Sequence, residues 1–368
     1  MSKQTAIPCT LMRGGTSKGP FFLAGDLPND EQLRDRVLLA VMGSPDVRQI
    51  DGIGGADPLT SKVAIVSKSS RPNVDVDYLF AQVVVDKPTV DVSPNCGNML
   101  AGVGPFAIEK GLVKASDHIT QVRIYMVNTG NLAVASVHTP GNIVRYDGDT
   151  AIAGVPAAAA PIAIDFLDTA GSVCDSMLPT GNARDVVEGV EVSCIDNGMP
   201  VVVIPAASLG KTGYETPKDL ENDKEFRQKL EAIRWAAGKL MGLGDVREKV
   251  VPKMSLIAPP IAGGHVSTRT FIPHKCHTAI GVLGAVSVAT ACALPGSVAK
   301  GVAQGLDKFP SGSPLLMSVE HPTGEFTVTL EISGSGKDFK VGRSGILRTA
   351  RALMEGTVFV PATVWDGK

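Results

Sequence analysis

Two long segments of the chain carry almost no polar residues. The first, CGNMLAGVGPFAIEKGLV (96–113), has no charge before Glu109, and the second, TAIGVLGAVSVATACALPG (278–296), has none. Helices that are apolar on every side are buried, so each segment is predicted to form the central helix of a domain. The second is too short for a membrane span, because Pro295 ends it before the roughly 20 apolar residues that a bilayer requires.

Strand-like patterns precede each apolar segment. They occur in VDYLFAQVVVD before the first segment, and in KMSLIAP and VSTRTFIP before the second. The chain also contains two similar openings, since LMRGGTSKGPFFLAGDLP and CIDNGMPVVVIPAASLG each read as strand, polar glycine turn, strand and leucine-bearing loop. These matches predict two related halves, each with strands around one buried helix.

Three further segments complete the predicted elements. Residues 123–149 alternate and turn like a β-meander. Residues 223–242 predict a helix that opens the second half, and residues 154–166, GVPAAAAPIAIDF, read as a strand or a surface loop. The predicted division is a first half, a second half and a C-terminal segment that can return to the first half: 1–186, 187–350 and 351–368.

Composition is typical of a soluble globular protein. The 368 residues exceed the size at which a single core stops growing, and 44% hydrophobic with 20% charged residues supply a large core. The formal net charge is −2, and no basic run or interleaved aromatic platform is present, so nucleic-acid binding is not expected. A small anionic ligand needs only local positive charge.

The N-terminal residues and the cysteines indicate a reducing compartment. MSKQTAIPCTLMRGG lacks the apolar region of a signal peptide, so a cytoplasmic location is predicted and no membrane partner is expected. Six cysteines lie scattered without paired spacing, which favours reduced thiols over a disulfide framework.

The turn MRGGTSKG resembles a phosphate-binding loop at first sight. A P-loop needs G-x-x-x-x-G-K-[ST] between a strand and a helix, whereas this turn is followed by the strand-like PFFL. Its backbone N–H groups and hydroxyls suit a carboxylate instead. We therefore expect a carboxylate-binding turn that comprises Arg13, Gly14, Gly15, Thr16 and Ser17.

Cys96 lies where a Pro-Asn turn meets the first apolar helix. A helix N-terminus offers unpaired N–H groups and a positive potential, which make a thiol more reactive. Gly97 and Asn98 let an anion approach the backbone there. The alternative is a small core residue, which is the common fate of a cysteine, but the position favours a reactive Cys96.

Lys62 ends a second Thr-Ser-Lys, which includes Ser61, and leads directly into the strand VAIV. A lysine at a strand edge is more often a solvated charge. A partly desolvated lysine beside a thiol can, however, exchange protons near neutral pH, as an enzyme without a cofactor must do to move a proton on carbon.

IPHKCHTAIGV brings His274, Cys276 and His277 to the predicted start of the second apolar helix. Metal binding is disfavoured, because Cys276 and His277 are adjacent and no second ligand cluster is evident. A carboxylate at this helix start, held near Thr278 and Ala279, is one interpretation. Simple helix capping is equally compatible with the pattern.

Arg348 and Arg351 are secondary candidates for a carboxylate clamp, although a solvated helix face fits at least equally well. The sequence has no dinucleotide G-x-G-x-x-G, no H-E-x-x-H and no G-x-S-x-G. No cofactor and no metal are therefore expected, and the substrate is expected to be a small carboxylate.

Nine segments together resemble the PrpF-like proteins, whose fold is of the diaminopimelate-epimerase type. They span nearly the whole chain: MRGGTSKG, DGIGGADPLTSKVAI, PNCGNMLAGVGPFA, PTGN, IDNGMPVV, LGKTGYE, GLGDV, EHPTGEFTV and RTARALMEGTVFVP. The resemblance implies an α+β fold of two pseudo-symmetric domains, each a mostly antiparallel sheet wrapped around a central apolar helix, with the active site in the cleft between them.

The resemblance also implies a function. It implies cofactor-independent movement of a proton on an unsaturated di- or tricarboxylate, with Lys62 and Cys96 in the catalytic positions. In diaminopimelate epimerase both helix starts carry a reactive Cys-Gly, whereas the second start here reads His277-Thr278-Ala279. That departure disfavours a symmetrical two-thiol mechanism and favours Lys62 with Cys96.

Several family activities remain open at this stage. The segments VDYLFAQV, FIPHKCH and GAVSVATACALPGSVA resemble enzymes that act on 4-oxalomesaconate in gallate-type aromatic catabolism. Alternatives are an isomerase of aconitate, methylaconitate or methylitaconate, and a non-catalytic accessory protein of a dehydratase. The sequence leaves the oligomeric state open, a homodimer included.

Overall fold

The computed structural model describes residues 4–93, 95–308, 313–334 and 339–367. The chain divides into two compact units. Unit 1 comprises residues 1–164 and 348–368, and unit 2 comprises residues 165–347. Among the described residues, none of the helices combines the length and apolarity needed to cross a bilayer.

Unit 1 is formed by strands and two helices, together with the C-terminal part of the last strand of the chain. In chain order these are β1 (Gln4–Gly14), β2 (Ser17–Leu23), α1 (Glu31–Met42), β3 (Lys62–Lys68), β4 (Val76–Val83), β5 (Val90–Asp91), α2 (Gly97–Glu109), β6 (His118–Met126) and β7 (Asn131–Thr139), with β8 (Pro161–Leu167) at the boundary.

Antiparallel pairs dominate the sheet of unit 1. β1 pairs with β2, β3 with β4, β4 with β5 and β6 with β7, all antiparallel, whereas β2–β3 and β4–β6 are parallel. The 123–149 meander is thus mostly a hairpin of β6 and β7, and in the 154–166 segment a loop over residues 154–160 leads into β8, which begins at Pro161.

The helix α2 lies against one face of this sheet and α1 lies on the other. Ten of the thirteen residues of α2 are buried, as the absence of polar positions predicted. Glycines allow the close approach, since a Cβ on Gly102 would lie 2.6 Å from the ring of Phe21. The opposite face packs Val37, Leu38 and Met42 of α1 against the sheet.

Unit 2 repeats the same order of elements. They are β9 (Asp185–Val187), β10 (Val190–Asp196), β11 (Pro200–Pro205), α3 (Pro217–Asn222), α4 (Lys224–Leu240), β12 (Lys253–Ala258), β13 (Val266–Ile272), β14 (Lys275–Cys276), α5 (Val282–Ala293), β15 (Leu315–His321), β16 (Gly324–Ser333) and the first part of β17 (Lys340–Pro361).

The pairings of unit 2 match those of unit 1 strand for strand. β10–β11, β12–β13, β13–β14 and β15–β16 are antiparallel, whereas β11–β12 and β13–β15 are parallel. The helix α5 packs against β10, β11, β15 and β16. The predicted α+β fold of two related halves, each a mostly antiparallel sheet around an apolar helix, is confirmed.

The unit boundaries differ from the division drawn from the sequence at 186/187 and 350/351. Residues 165–186 belong to unit 2, because this segment is bonded to the end of β10: the Asp196 carboxylate accepts the backbone N–H groups of Val173 and Cys174. The C-terminal residues belong to unit 1, because β17 pairs with β1 from Gly14↔Ala350 to Gln4↔Pro361.

Candidate active site

The turn between β1 and β2 packs directly on the first turn of α2. A Cβ on Gly14 would lie 2.4 Å from the carbonyl oxygen of Asn98, and one on Gly15 would lie 2.2 Å from Asn98 Oδ1. Gly15 also has φ +51°, which favours glycine. Asn98 Nδ2 donates to Thr16 Oγ1 at 2.9 Å. The structure therefore brings the predicted turn and the predicted helix start together.

Two polar atoms at this junction are left without a partner among the described residues. They are Ser17 Oγ and Asn98 Oδ1, both buried. Ser17 itself is only 1% exposed. Because burying a polar group without a hydrogen bond is costly, these atoms suit a ligand.

Cys96 is the N-cap residue of α2. Its backbone is extended, with φ −130° and ψ 100°, and the first turn of the helix that follows contains no acidic side chain. The first N–H groups of a helix have no intrahelical acceptor, so they carry a local positive potential towards the Cys96 side. Pro94 of the preceding turn lies outside the described residues.

Tyr78 of β4 fixes the Cys96 backbone. Its hydroxyl donates to the Cys96 carbonyl oxygen at 3.3 Å. Burial raises the pKa of Tyr78 well above its ordinary value, and proximity to Cys96 raises it further. The phenol is therefore protonated and keeps its donor role at every pH at which the protein works.

Lys62 is the first residue of β3 and is half-buried. Its Nζ donates to Gln82 Oε1 at 2.6 Å and lies 5.1 Å from the ring centroid of Phe80. Gly19 leaves room for the strand, since a Cβ there would lie 1.6 Å from the Lys62 carbonyl oxygen. The lysine is thus a held side chain and not a freely solvated charge.

Cys96 and Lys62 are linked to the same face of β4. Tyr78, Phe80 and Gln82 are two residues apart in that strand, so their side chains project to one side. The first contacts the Cys96 backbone, and the other two contact the Lys62 ammonium group. The two predicted catalytic residues therefore share one surface of the sheet.

Arg13 lies on the opposite face of the β1–β2 hairpin, because it alternates with the buried Met12 and Gly14. Its Nη1 donates to the carbonyl oxygens of Gly15 and Thr349, which ties the turn to β17. Burial, and secondarily the neighbouring Arg351, lowers the pKa of Arg13. Arg13 therefore holds the turn from the face that points away from Met12 and Gly14.

A cavity of about 500 Å³ lies beside this arginine. Arg351, which is opposite Arg13 in the β1–β17 pair, lines it together with Thr16, Ser17 and Tyr146. Lys62 and Cys96 do not line it. Arg348 is 2% exposed and belongs to the core of β17.

Ser61 is fully buried, and its hydroxyl is used within the protein. It donates to Gln49 Oε1 at 2.8 Å and approaches the Asp57 carbonyl oxygen at 2.8 Å. Gln49 Oε1 also accepts the backbone N–H of Ala56 at 2.8 Å. In the described state Ser61 therefore shapes the loop before Lys62.

The second helix begins later than predicted. α5 starts at Val282 with Gly281 as its N-cap, and not at Thr278. The reason is the short strand β14, in which Cys276 pairs with Phe271, followed by a bond from the His277 N–H to the Thr270 carbonyl oxygen. Backbone groups used in this way cannot begin a helix.

The four predicted residues of this region are placed accordingly. The Ala279 N–H donates to His277 Nδ1 at 2.8 Å, and the Thr278 carbonyl oxygen accepts from Thr323. His274 is exposed, lies 3.8 Å from Glu231, and lines a separate cavity of about 520 Å³ at α4. The prediction that His274, His277, Thr278 and Ala279 stand at the helix start is wrong.

Burial raises the pKa of the five cysteines other than Cys96. Burial raises the pKa of Cys276, Cys194 and Cys292 to about 12 in each case, and burial together with Asp196 raises that of Cys174 to about 12. Burial also raises the pKa of Cys9. These thiols are therefore protonated at neutral pH.

Within the described ranges there is no group of three or more His, Cys, Asp or Glu side chains that could hold a metal ion.

Sequence reasoning missed three residues that hold the site: Tyr78, Gln82 and Gln49. A signal for the first two was present, since VDYLFAQV places Tyr, Phe and Gln at alternate positions of one strand. That the last of them faces Lys62 depends on the β3–β4 register, which pairs Lys62 with Gln82. No local pattern carries that information.

The chain matches known proteins along nearly its whole length. The PrpF protein family matches residues 4–361. The chain is 61% identical to the (4E)-oxalomesaconate Delta-isomerase of Novosphingobium sp. (strain KA1), over 96% of this chain and 97% of that protein. It is 58% identical to the 4-oxalomesaconate tautomerase of Pseudomonas putida, over 99% of both chains.

A solved structure is also similar. The crystal structure of a methylitaconate-delta-isomerase superposes with a TM-score of 0.83 at 35% identity, and the match covers 99% of this chain and 97% of that one. The similarity therefore extends over the complete sequence and both repeats.

Proposed function

The chain belongs to the PrpF family, and we propose that it is an isomerase that moves a proton and a double bond on an unsaturated tricarboxylate. The substrate is 4-oxalomesaconate, formed after aromatic ring cleavage. The names of the relatives at 61% and 58% identity support this substrate. Retention of Lys62 and Cys96 in a formed site supports catalysis over an accessory role.

One observation carries the mechanism. Lys62 and Cys96 are attached to one face of β4, the lysine through Gln82 and Phe80 and the cysteine through the Tyr78 hydroxyl. A proton shift along a carbon chain needs two groups that reach different carbons of one substrate. A lysine amine and a thiol held on one surface meet that requirement.

The reaction balances without a cofactor. One group removes a proton from a carbon made acidic by conjugation with a carbonyl or carboxylate group. The electron pair of that C–H bond forms the new double bond, and the old double bond opens towards the far carbon. The second group delivers a proton to that carbon, so the product is an isomer of the substrate.

The substrate carboxylates are held at the start of α2. The unpaired N–H groups of Gly97 and Asn98 and the buried hydroxyl of Ser17 are donors for an anion there. Gly14, Gly15 and Thr16 lie beside these donors, because their turn contacts Asn98. The same donors also stabilise the negative charge that spreads onto the carboxylate oxygens as the carbon loses its proton.

The test is turnover by purified protein, followed by ultraviolet absorbance and proton NMR, with 4-oxalomesaconate as substrate. In deuterated water, deuterium should enter the product carbon. Lys62→Met and Cys96→Ala should each lower kcat by roughly 10²–10⁴-fold, which is the usual contribution of a placed acid or base. Lys68→Met, at the exposed end of the same strand, is the matched control and should keep full activity.

Methylitaconate is the second substrate to screen, because the solved structure that matches at 35% identity bears that name. Turnover of methylitaconate alone would replace the substrate and leave the mechanism intact. Absence of turnover with every unsaturated di- or tricarboxylate, together with stoichiometric capture of a dehydratase, would establish the accessory role instead. Cytoplasmic location and a homodimer remain predictions.

A further inference from the structure

Gln82 contacts Lys62 in a way that uses both ends of its amide group. Its Oε1 accepts from the Lys62 ammonium group at 2.6 Å. Its Nε2 donates to the carbonyl oxygens of Ser61 at 3.0 Å and Pro58 at 3.1 Å. The reverse orientation would direct N–H groups at an ammonium and an oxygen at two carbonyls, so the contacts fix which way the amide points.

We propose that Gln82 is the positioning residue of the catalytic lysine, which holds the Lys62 amine against the substrate and locks the loop that delivers it. The inference rests on the proposed role of Lys62. It concerns a residue that does not itself touch the reacting atoms, since its amide faces the lysine and the loop.

An amide suits this role better than a carboxylate. It accepts a hydrogen bond from the ammonium form and yet carries no full negative charge, so it orients the lysine without trapping its proton. Within the described residues, no carboxylate lies within 4.0 Å of Lys62 Nζ. The nearby acids Asp57 and Asp91 are used locally, by the N–H groups of Leu59 and Ser93.

The loop bonded to Gln82 is held at several points. Buried Gln49 binds the Ser61 hydroxyl and the Ala56 N–H, and a Cβ on Gly54 would lie 2.2 Å from Gln49 Oε1. Gln82 closes the other end of this loop through Pro58 and Ser61. A displacement of the amide would therefore move the Lys62 backbone as well as its side chain.

The second repeat shows that the fold does not require a glutamine at this position. β2 ends at Leu23 and β11 ends at Pro205, and a short 3-10 turn follows each strand. In the neighbouring strand, Leu23 pairs with Val66 and Pro205 pairs with Ile257. Four residues before these partners stand Lys62 and Lys253. The β12–β13 register, continued by one residue, places Ile272 opposite Lys253.

The equivalent lysine is thus held by a different environment. Burial, and then Arg234, lowers the pKa of Lys253 to about 8. The same strand position therefore tolerates an apolar neighbour without loss of the sheet. The amide opposite Lys62 is accordingly explained by the lysine and not by strand pairing.

The experiment compares Gln82→Leu with Gln82→Glu. Leucine removes the acceptor, so kcat should fall by roughly 10–100-fold at little change in KM, as expected for misplacement of a catalytic group. Glutamate keeps the acceptor towards Lys62 and adds a charge, but it loses the two donors to Pro58 and Ser61, so plateau kcat should recover only in part. The ascending limb of kcat/KM should then move about one pH unit higher, since an opposite charge favours the ammonium form.

A second measurement needs no substrate. The pH dependence of Lys62 acylation by acetic anhydride, read by peptide mass spectrometry, reports when its amine becomes free. The midpoint should rise in Gln82→Glu and fall in Gln82→Leu, whereas a general loosening would move both in one direction. Gln121→Leu and Gln121→Glu, at an exposed position of β6, are the matched controls and should change nothing.

Unchanged kcat in a folded Gln82→Leu, or acylation midpoints that do not separate, would overturn the inference. If the wild type turned over no tricarboxylate, the proposed function would fail, and the acylation arm would still decide whether Gln82 controls Lys62. If the leucine variant does not fold, the glutamate variant decides. Its acylation midpoint must then lie at higher pH than that of the wild type for the inference to stand.

Discussion

Gly14→Ala is the sharpest test of the packing between the turn and the helix start. The added Cβ would lie 2.4 Å from Asn98 O and 3.1 Å from Met99 Cα, whereas ordinary contact begins at 3.4 Å, so the two elements must separate by about 1 Å. Gly14 does not have a left-handed φ, so alanine introduces no backbone strain of its own. The variant therefore isolates a displacement.

The magnitude follows from that displacement. A misplacement of about 1 Å in an active site costs on the order of 10²-fold in rate, so kcat/KM should fall by that factor. Overpacking of this kind costs about 1–3 kcal/mol of stability. For units of this size each kcal/mol lowers Tm by roughly 2–4 °C, so the protein should remain folded at 25 °C.

The assay is the ultraviolet measurement of 4-oxalomesaconate turnover, combined with thermal unfolding by circular dichroism. Gly25→Ala is the matched control, because a Cβ there meets nothing within 4 Å. If Gly14→Ala retained the kcat/KM of Gly25→Ala, the contact between turn and helix would not matter for catalysis and the site would have to be sought elsewhere.

Three further results are expected. Lys253→Met should stabilise the protein at pH 7, because lowering its pKa from 10.5 to about 8 corresponds to roughly 3 kcal/mol, reduced by solvent to about 1–2 kcal/mol. The free-energy cost of charging Lys253 in the folded protein is full below pH 8 and vanishes above pH 10.5. Urea unfolding should therefore show a larger gain in stability at pH 7 than at pH 10. An equal gain at both pH values would contradict the assignment. Cys276→Ala should keep kcat within a few-fold of wild type in the turnover assay, since its thiol is buried in β14, and abolished turnover would transfer the catalytic thiol to the second repeat. Turnover should also survive dialysis against a chelator, and recovery only after addition of one divalent ion would refute cofactor independence.

Apolar patterning was sufficient to predict the two central helices and the repeat around them. An uninterrupted apolar run can only be buried, and two similar hairpins with two similar helices constrain the architecture strongly. The start of α5 was misplaced, because residues 275 and 276 are held in a two-residue strand by pairing with β13. The bond from the His277 N–H to the Thr270 carbonyl oxygen continues this pairing towards the helix, and no local pattern in KCHTAIG indicates it.

The site was predictable in its turn and helix start, and less so in its supports. Gly14 and Gly15 of MRGGTSKG have no room for a Cβ, because it would clash with Asn98 at the start of α2. The roles of Arg13 and Ser61 depend instead on strand alternation and on loop contacts, which direct Arg13 behind the turn and bind Ser61 to Gln49. Such roles emerge only when the register is known.

The two repeats share a contact between a turn glycine and the start of the central helix, and they differ in the side chains that form it. In each, a turn glycine with positive φ packs on the second residue after the helix N-cap. These pairs are Gly15 with Asn98, and Gly198 with Leu283, where an added Cβ would lie 3.0 Å from Leu283 Cδ2.

In the first repeat that contact is polar and leaves Asn98 Oδ1 without a partner among the described residues, whereas in the second it is made with the apolar side chain of Leu283. The N-cap is Cys96 in one and Gly281 in the other. Because both repeats have this backbone arrangement, the proposed catalysis in the first repeat must depend on its side chains. Replacing the first-repeat side chains should therefore abolish turnover while the fold persists, since the second repeat folds without them.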